Sequence, residues 1–260
     1  MSGGVDSSVV AALLKKRGHN IIGVFMKFWV ESKKDEFISH WNRCCSLESE
    51  NRARQVANIL DIPFYVFNFE KEFKKKVVDY FLKEYKEGRT PNPCVVCNKE
   101  IKFGLLLEKA LSLNIDYVAT GHYVQSQQEK NKIQLFRGKD KIKDQSYFLW
   151  QLNQKQLRHI LFPLGKYTKT QVKKLAKKFK LPVINIPESQ EICFVQGELN
   201  SFLERNIKIK PGKILNIDGK KIGEHKGLPF YTIGQRKGIR LSGGPFYVCL
   251  LYTSPSPRDA

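Results

Sequence analysis

Long apolar stretches and acidic residues are both scarce in this sequence. It contains no uninterrupted run of about 18 apolar residues, the length that a membrane-spanning helix needs. No charged and then apolar leader of the secretory type precedes Ser2, so we expect a cytoplasmic protein with no membrane partner. The 25 acidic residues are outnumbered by 45 lysines and arginines, which gives a formal net charge of +20. A field of this sign favours a polyanion such as RNA as the partner.

A lysine-containing Walker A motif is also missing, although a glycine-rich loop opens the chain. Two adjacent glycines allow a tight turn, successive N–H groups can line an anion-binding hollow, and an amphipathic helix pattern follows directly. The partial positive charge of the helix N-terminus also favours phosphate. The sequence is similar here to the pyrophosphate-binding loop of the PP-loop ATPases, which cleave ATP between the α and β phosphates and adenylate a carbonyl oxygen. The loop consists of Ser2, Gly3, Gly4, Val5, Asp6, Ser7 and Ser8.

Strand and helix patterns alternate through the first half of the chain. This alternation predicts an α/β fold with a parallel sheet, and ligands in such sheets bind at the carboxyl ends of the strands. Gly121 and His122 directly follow one predicted strand. After about residue 198, glycines, prolines and short β-prone runs predict a small β-rich domain, with a hairpin turn at Asp218-Gly219. The predicted strands are 21–26, 64–69 and 115–120, and helices are predicted over 46–60 and 99–113.

The cysteines lack the spacing of a structural zinc ribbon. Cys94 and Cys97 form one C-x-x-C pair, whereas ribbons commonly use two such pairs. Cys97 is predicted to lie where a helix begins, a position that favours the thiolate, which is the attacking form. With the distant Cys193, three possibilities stay open: a thiol relay, an iron–sulfur cluster held by three thiolates, or inert side chains.

Several separated motifs together resemble the bacterial tRNA-specific 2-thiouridylases, which are PP-loop ATPases that place sulfur on the wobble uridine. The resemblance covers about residues 1 to 248. It rests on the phosphate loop, on the stretches 23–27, 88–102 and 119–123, and on 143–149, 192–194 and 234–238. It implies a PP-loop ATP-binding domain over residues 1–198 and an incomplete β-rich domain over 199–249. The polar, proline-spaced composition of the last residues predicts a non-native tail over 250–260. We expect the chain to be shortened at both ends, because a strand should precede the loop and the family continues into a C-terminal β-barrel.

The resemblance also assigns roles to residues. Residues 2 to 8 would hold the ATP phosphates, with Met26 and Gly121 lining the nucleoside site and Mg²⁺ accompanying the ATP. Cys97 would be the nucleophile and Cys193 the persulfide carrier, and the two would pair as a disulfide during the reaction. The implied partners are the anticodon arm of tRNA and a persulfide-donating protein, not DNA. The residues implied to contact tRNA are Asn92, Pro93, Cys94, His122, Lys143, Asp144 and Gln145.

One departure from the family pattern concerns Cys94, because well-known members carry an aspartate there as a general base. A thiolate at Cys94 would serve as a base or complete a [4Fe-4S] ligand set with Cys97 and Cys193; otherwise we expect no bound metal site. Two rival functions remain open at this stage. They are another PP-loop adenylating enzyme, such as an amide ligase or a tRNA lysidine synthetase, and a basic RNA-binding module whose loop is a relic.

Overall fold

The computed structural model describes residues 1–31, 46–187, 192–195 and 197–251. The chain folds into two compact units. The first contains Met1–Lys76 and Cys94–Phe194, and the second contains Val77–Pro93 and Val195–Ala260. Most of the tail predicted over 250–260 lies outside the described residues, since the description ends at residue 251. Among the described residues, none of the helices is long and apolar enough to cross a membrane.

The helix predicted to follow the glycine-rich loop begins inside it. Helix α1 spans Val5–Lys16, and Gly4 is its N-cap in an extended conformation. Gly3 has a φ of +72°, and a Cβ there would lie 2.2 Å from the carbonyl oxygen of Ser49. Only glycine satisfies both conditions, because side chains disfavour positive φ and the space is occupied. The apolar face of α1 forms the centre of the core, with Val9 fully buried.

Two parallel strand pairs in the first unit confirm the predicted α/β class. Strand β1 (Gly23–Lys27) pairs with β2 (Phe64–Asn68), and β3 (Val118–Ala119) pairs with β6 (Ile160–Leu161). Helix α2 (Leu47–Ile59) connects β1 to β2, and the Ser46 side chain caps it by accepting a hydrogen bond from the Ser49 amide. The predicted strand over 115–120 is wrong in its first half. The amides of residues 113 to 115 still bond to carbonyls of the preceding helix, so the chain becomes extended only later.

A long helical segment with wider turns follows β2. It consists of α3 (Glu70–Phe73), a π-helical turn (Lys74–Val78) and α4 (Asp79–Lys86). The second such segment contains α5 (Pro93–Cys97), a π-helical stretch (Asn98–Leu105) and α6 (Leu106–Ser112). A Cβ on Gly104 would lie 2.9 Å from the Lys99 carbonyl oxygen, so a glycine suits the wider turn. The helix predicted from residue 99 begins six residues earlier, at Pro93. A proline is tolerated in the first turn, because the N–H that it lacks would have no partner within the helix there.

The antiparallel hairpin of the first unit was not predicted. Strands β4 (Val124–Glu129) and β5 (Lys132–Arg137) pair across a tight polar turn, with Lys130 at a φ of 52°. A 3₁₀ turn (Ser146–Leu149) and the short helix α7 (Gln154–Leu157) follow. Helix α8 (Lys169–Lys178) begins with a capping box formed by Thr168 and Gln171. Its buried residues, Val172 and Ala176, share one core cluster with α1.

The second unit contains helix α4 from the middle of the chain and helix α9 (Leu199–Asn206). The ring of Phe81 on α4 packs with that of Phe202 on α9, with ring centroids 6.3 Å apart. Strands β7 (Gly212–Leu215) and β8 (Lys221–His225) form the hairpin predicted from Asp218-Gly219, and Gly219 has a φ of +80°. Residues 230–233, which are rich in β-prone types, form no strand, and Phe230 is the last residue of a 3₁₀ turn (Leu228–Phe230).

Candidate active site

The glycine-rich loop closes on itself through its serines. The Ser2 amide donates to Ser7 Oγ at 3.1 Å, and the hydroxyls of Ser7 and Ser8 both donate to the Gly4 carbonyl, at 3.3 and 2.8 Å. Arg52 of α2 donates through Nε to the Gly3 carbonyl at 3.3 Å. These bonds use the loop's carbonyls and hydroxyls, and the loop runs directly into the N-terminus of α1. The geometry suits a bound phosphate, which such termini attract.

Gly121 lies against this loop. A Cβ there would be 3.1 Å from Asp6 Cβ and 3.2 Å from the Ser7 amide nitrogen, so a side chain at residue 121 would press on the first turn of α1. Met26 is half-buried near the carboxyl end of β1. The structure thus brings Gly121 to the phosphate loop, across more than a hundred residues of chain. Its role in ATP binding, like that of Met26, stays a prediction.

Asp6 is held by two side chains that the sequence patterns did not reveal. Lys169 donates from Nζ to both carboxylate oxygens of Asp6 at 2.8 Å, and the Tyr123 hydroxyl donates to Asp6 Oδ1 at 2.8 Å. The Lys169 side chain is only 11% exposed, and Tyr123 is buried. The ammonium also lies 5.9 Å from the centroid of the Tyr123 ring, within cation–π range. A loop without a Walker lysine therefore has a buried lysine beside it, supplied by α8.

The segment 140–145 contains the predicted tRNA contacts Lys143, Asp144 and Gln145. The carboxylate of Asp144 holds this segment to its neighbours in the chain. Asp144 accepts from the Gly138 amide at 2.8 Å and from the Ser146 hydroxyl at 2.8 Å. Burial alone would raise the pKa of Asp144, but these hydrogen bonds outweigh it and the pKa lies below its ordinary value. Asp144 thus fixes the local backbone, and its direct contact with tRNA stays a prediction, as do those of Lys143 and Gln145.

His122 follows β3 and is buried at 9% exposure. Its Nδ1 lies 2.8 Å from the Thr120 hydroxyl, and its ring centroid lies 6.0 Å from that of Phe103. Burial, reinforced by the positive charge of Lys102, lowers the pKa of His122 to about 3. The imidazole is therefore neutral at physiological pH, and a contact with tRNA phosphate through a charged imidazole is not available. Its predicted role in tRNA binding would have to use the neutral ring.

The C-x-x-C pair lies on α5, with its two thiols in different environments. Cys94 is exposed in the first turn, directly after Pro93, whereas Cys97 is 7% exposed at the last position of α5. The expectation that Cys97 stands at the beginning of the helix is wrong, because the helix starts at Pro93. The favourable field of the N-terminus is confined to the first turn and so acts more on Cys94 than on Cys97. Asn92 and Pro93 precede Cys94 directly, and their contact with the target base stays a prediction.

The next residue, Asn98, ties this helix to the 3₁₀ turn that follows the predicted tRNA contacts. Its Nδ2 donates to the Phe148 carbonyl at 3.0 Å, and the residue is only 2% exposed. Its side-chain oxygen Oδ1 is buried without a hydrogen-bond partner in the described residues. A π-helical stretch then begins, a feature often found at functional sites. The residue that follows Cys97 is therefore hydrogen-bonded to the 3₁₀ turn at 146–149.

Cys193 is half-exposed beside a buried aromatic anchor. The Phe194 ring packs edge-on against Phe73 with centroids 5.7 Å apart, and Phe73 stacks on Phe28 at 4.5 Å. Phe28 directly follows β1, and Phe73 lies on the helix that follows β2. The helix with Phe73 also reaches the Cys97 segment, through a 2.8 Å ion pair between Lys76 and Glu100. Both cysteine segments are thus attached to one helical segment at the carboxyl end of the β1–β2 pair.

Within the described ranges, no group of three or more histidines, cysteines, aspartates or glutamates is arranged to hold a metal ion. Cys94, Cys97 and Cys193 are all described, so the structure gives no support to the cluster alternative. The roles of Cys97 as nucleophile and of Cys193 as persulfide carrier stay predictions. A disulfide between Cys97 and Cys193 during the reaction stays a prediction.

Comparison with known proteins extends across both units. The family model described as the tRNA methyl transferase HUP domain matches residues 1–197, and the tRNA methyl transferase PRC-barrel domain matches residues 200–254. A tRNA-specific 2-thiouridylase of Moorella thermoacetica is 52% identical over 257 residues, which cover 96% of this chain and 71% of that protein. The chain belongs to the tRNA-specific 2-thiouridylase family. The resemblance inferred from the motifs is thereby confirmed.

Another tRNA-specific 2-thiouridylase, from Carboxydothermus hydrogenoformans, is 51% identical, covering 95% of this chain and 69% of that protein. The solved structure of NMN synthetase from Francisella tularensis has a TM-score of 0.44 and 16% identity, over 72% of this chain and 63% of that chain. That likeness is too low to bear on function. Membership of the tRNA-specific 2-thiouridylase family therefore rests on sequence, and it agrees with the phosphate loop and cysteines described above.

Proposed function

We propose that this protein is an ATP-dependent tRNA 2-thiouridylase, a sulfurtransferase that converts the wobble uridine to 2-thiouridine. The observation that carries the proposal is identity of about one half to tRNA-specific 2-thiouridylases over nearly the whole chain. The phosphate-binding loop and the separate thiols supply the two chemistries that this reaction needs. The formal charge of +20 suits a tRNA substrate. We place the enzyme in the cytoplasm, as expected from the sequence.

The first step activates the base. The uracil O2 attacks the α-phosphorus of ATP, the bond from that phosphorus to the bridging oxygen breaks, and pyrophosphate leaves. The loop Ser2–Ser8 and the N-terminus of α1 would bind the phosphates. Mg²⁺ would neutralise charge on them. Because the Asp6 carboxylate already has Lys169 and Tyr123 as partners, we expect Mg²⁺ to be held chiefly by the phosphates themselves.

The second step exchanges oxygen for sulfur. A protein donor first loads Cys193 with a persulfide, whose outer sulfur attacks C2 of the adenylated uracil. Cys97 attacks the inner sulfur, which breaks the S–S bond and leaves its electron pair on the sulfur now attached to C2. The C2–O bond then breaks, AMP departs and a C2=S bond remains. The Cys97–Cys193 disulfide is reduced by an external thiol before the next cycle. Alternatively, Cys97 first attacks the inner sulfur of the Cys193 persulfide, which forms the same disulfide and releases hydrosulfide, and the hydrosulfide then attacks C2.

The test combines two assays. The protein is incubated with unmodified tRNA, ATP, Mg²⁺ and a persulfide donor, and digested tRNA is analysed for 2-thiouridine by mass spectrometry. In parallel, labelled pyrophosphate exchange into ATP reports adenylation. We expect Cys97→Ser and Cys193→Ser to abolish thiouridine while exchange continues, and the exposed Cys249→Ser, in the second unit, to behave like the parent.

Each rival gives a different result. Adenylation without thiouridine in the parent would support another PP-loop adenylating enzyme, and absence of both activities would support a binding module. Iron in anaerobically purified protein, lost in Cys94→Ala together with activity, would replace the thiol relay with the cluster mechanism.

A further inference from the structure

The Asp6 carboxylate is one point at which the phosphate loop is attached to the rest of the first unit, and the Gly3 carbonyl, which accepts from Arg52, is another. The partners of Asp6, which are Tyr123 and Lys169, come from positions 117 and 163 residues further along the chain. Both donors are buried, and the bonds from Lys169 join opposite charges at 2.8 Å. Charge-assisted hydrogen bonds in such surroundings are strong, and removal of one partner leaves the other poorly solvated. Movement of Asp6 is therefore resisted by both donors.

Each donor is in turn bonded to the segment 140–145. The backbone amide of Lys169 donates to Asp140 Oδ2 at 2.9 Å. The Tyr123 amide donates to Gln145 Oε1 at 3.1 Å, and the Gln145 amide donates back to the Tyr123 carbonyl at 3.2 Å. Two separate routes thus run from Asp6 to this segment, one through Lys169 to Asp140 and the other through Tyr123 to Gln145.

Asp140 continues the first route into the segment itself. Its Oδ1 accepts from the amides of Ile142 and Lys143, at 3.1 and 3.2 Å. Backbone hydrogen bonds, above all that from Lys169, hold the pKa of Asp140 below its ordinary value, so the carboxylate stays charged at neutral pH. Asp140 therefore accepts hydrogen bonds both from the backbone of Lys143 and from the first residue of α8, Lys169.

We propose that Lys169 and Tyr123 are positioning residues that couple the phosphate loop to the segment 140–145, so that ATP and tRNA bind with positive cooperativity. The inference rests on the proposed function, in which the loop binds ATP and the segment contacts tRNA. A nucleotide that orders the loop also orders Asp6, and through the two routes it orders the segment. The first ligand to bind then accounts for the loss of conformational entropy in both regions, so the second ligand binds more tightly.

The experiment measures two pairs of dissociation constants. The affinity of the protein for unmodified tRNA is measured with and without an ATP analogue that has a methylene group between the α and β phosphorus atoms. The affinity for that analogue is measured with and without tRNA. By linkage the two ratios must be equal, which provides an internal check. For the parent we expect a ratio of about fivefold or more, at the lower end of typical couplings.

The variants separate coupling from folding. Tyr123→Phe removes only the hydroxyl and keeps the buried ring, while Lys169→Met removes the ammonium and keeps much of the stem. Asp140→Ala breaks the first route at its far end without altering Asp6. We expect each single variant to lower the ratio, because each interrupts one of the two routes, and the double variant with Tyr123→Phe and Lys169→Met to bring it close to one. The matched control is Lys173→Met, an exposed lysine on the same helix, which should keep the parental ratio. Thermal unfolding verifies that every variant is folded.

Every outcome is decisive. If the three variants weaken both ligands but leave the ratio at the parental value, the residues are merely structural and the inference is wrong. A parent that binds both ligands with a ratio of one also overturns it, while leaving the proposed function intact. A parent that binds neither ligand contradicts the proposed function, and the inference with it.

Discussion

At the scale of single residues, burial limits what His122 can do. The side chain follows a strand at the end where ligands bind, and the family resemblance assigns it a contact with tRNA. In the structure it is enclosed and paired with the Thr120 hydroxyl, and its pKa is lowered to about 3. The folded state thus binds a proton on this residue far less readily than the unfolded chain does. Stability must therefore depend on pH.

The pH dependence has a definite sign. Because the pKa of His122 falls from an ordinary 6.5 to about 3 on folding, its contribution is complete above pH 6.5 and is lost as the pH falls towards 3. Within that window the loss is at most about 1.4 kcal/mol per pH unit. Urea unfolding of the parent and of His122→Gln between pH 6.5 and 5 measures it. We expect a flatter profile for the variant, whose amide does not titrate; equal slopes would contradict the assignment.

The phosphate loop and the cysteines could be found from the sequence because each is a compact local pattern. Lys169 could not. It is one of 45 lysines and arginines, lies 163 residues from Asp6, and occupies the first turn of a helix whose other lysines are exposed. Only the packing of α8 on α1 brings its ammonium to the loop. The role of Tyr123 could not be predicted either. Its sequence context is that of an ordinary core residue, and only the structure shows that its hydroxyl donates to Asp6.

At the scale of elements, local signals predicted best where turn chemistry or periodicity was strong. The hairpin β7–β8 was predicted from Asp218-Gly219, because a glycine there adopts the positive φ that the turn needs. The hairpin β4–β5 was missed, since its strands are mostly exposed and polar and its turn has no glycine. The start of α5 was missed because the helix was predicted only from residue 99, although a proline such as Pro93 is well suited to the first turn of a helix.

Helix α8 depends on its cap, which gives a prediction for the element. Thr168 Oγ1 accepts from the Gln171 amide at 3.3 Å, and Gln171 Oε1 accepts from the Thr168 amide at 2.8 Å. We expect Thr168→Ala to lower the free energy of unfolding by about 1 kcal/mol, as lost N-caps commonly do. Urea unfolding measures the loss. Thr168→Ser keeps the hydroxyl and should stay close to the parent, and an equal loss in both variants would assign the effect to the methyl group instead.

At the scale of the whole molecule, the two units are not consecutive in sequence. The sequence predicted a boundary after residue 198 from the change in composition. The second compact unit also takes Val77–Pro93 from the middle of the chain. Composition could not indicate this, because the apolar face of α4 predicts a buried helix but not the unit in which the helix is buried. The contact between Phe81 and Phe202 in the structure shows that α4 packs with α9.

This arrangement predicts the behaviour of a fragment. A protein that ends at residue 198 would keep α4 but lose α9, so the buried rings of Phe81 and Tyr85 would lose part of their cover. Exposed apolar patches of this kind promote association. We expect the fragment 1–198 to bind an apolar fluorescent dye more strongly than the fragment 1–251 and to unfold at a lower urea concentration. The double substitution Phe81→Ser and Tyr85→Ser in the fragment 1–198 should reduce dye binding. Equal dye binding by 1–198 and 1–251 would mean that α4 does not need the rest of the second unit.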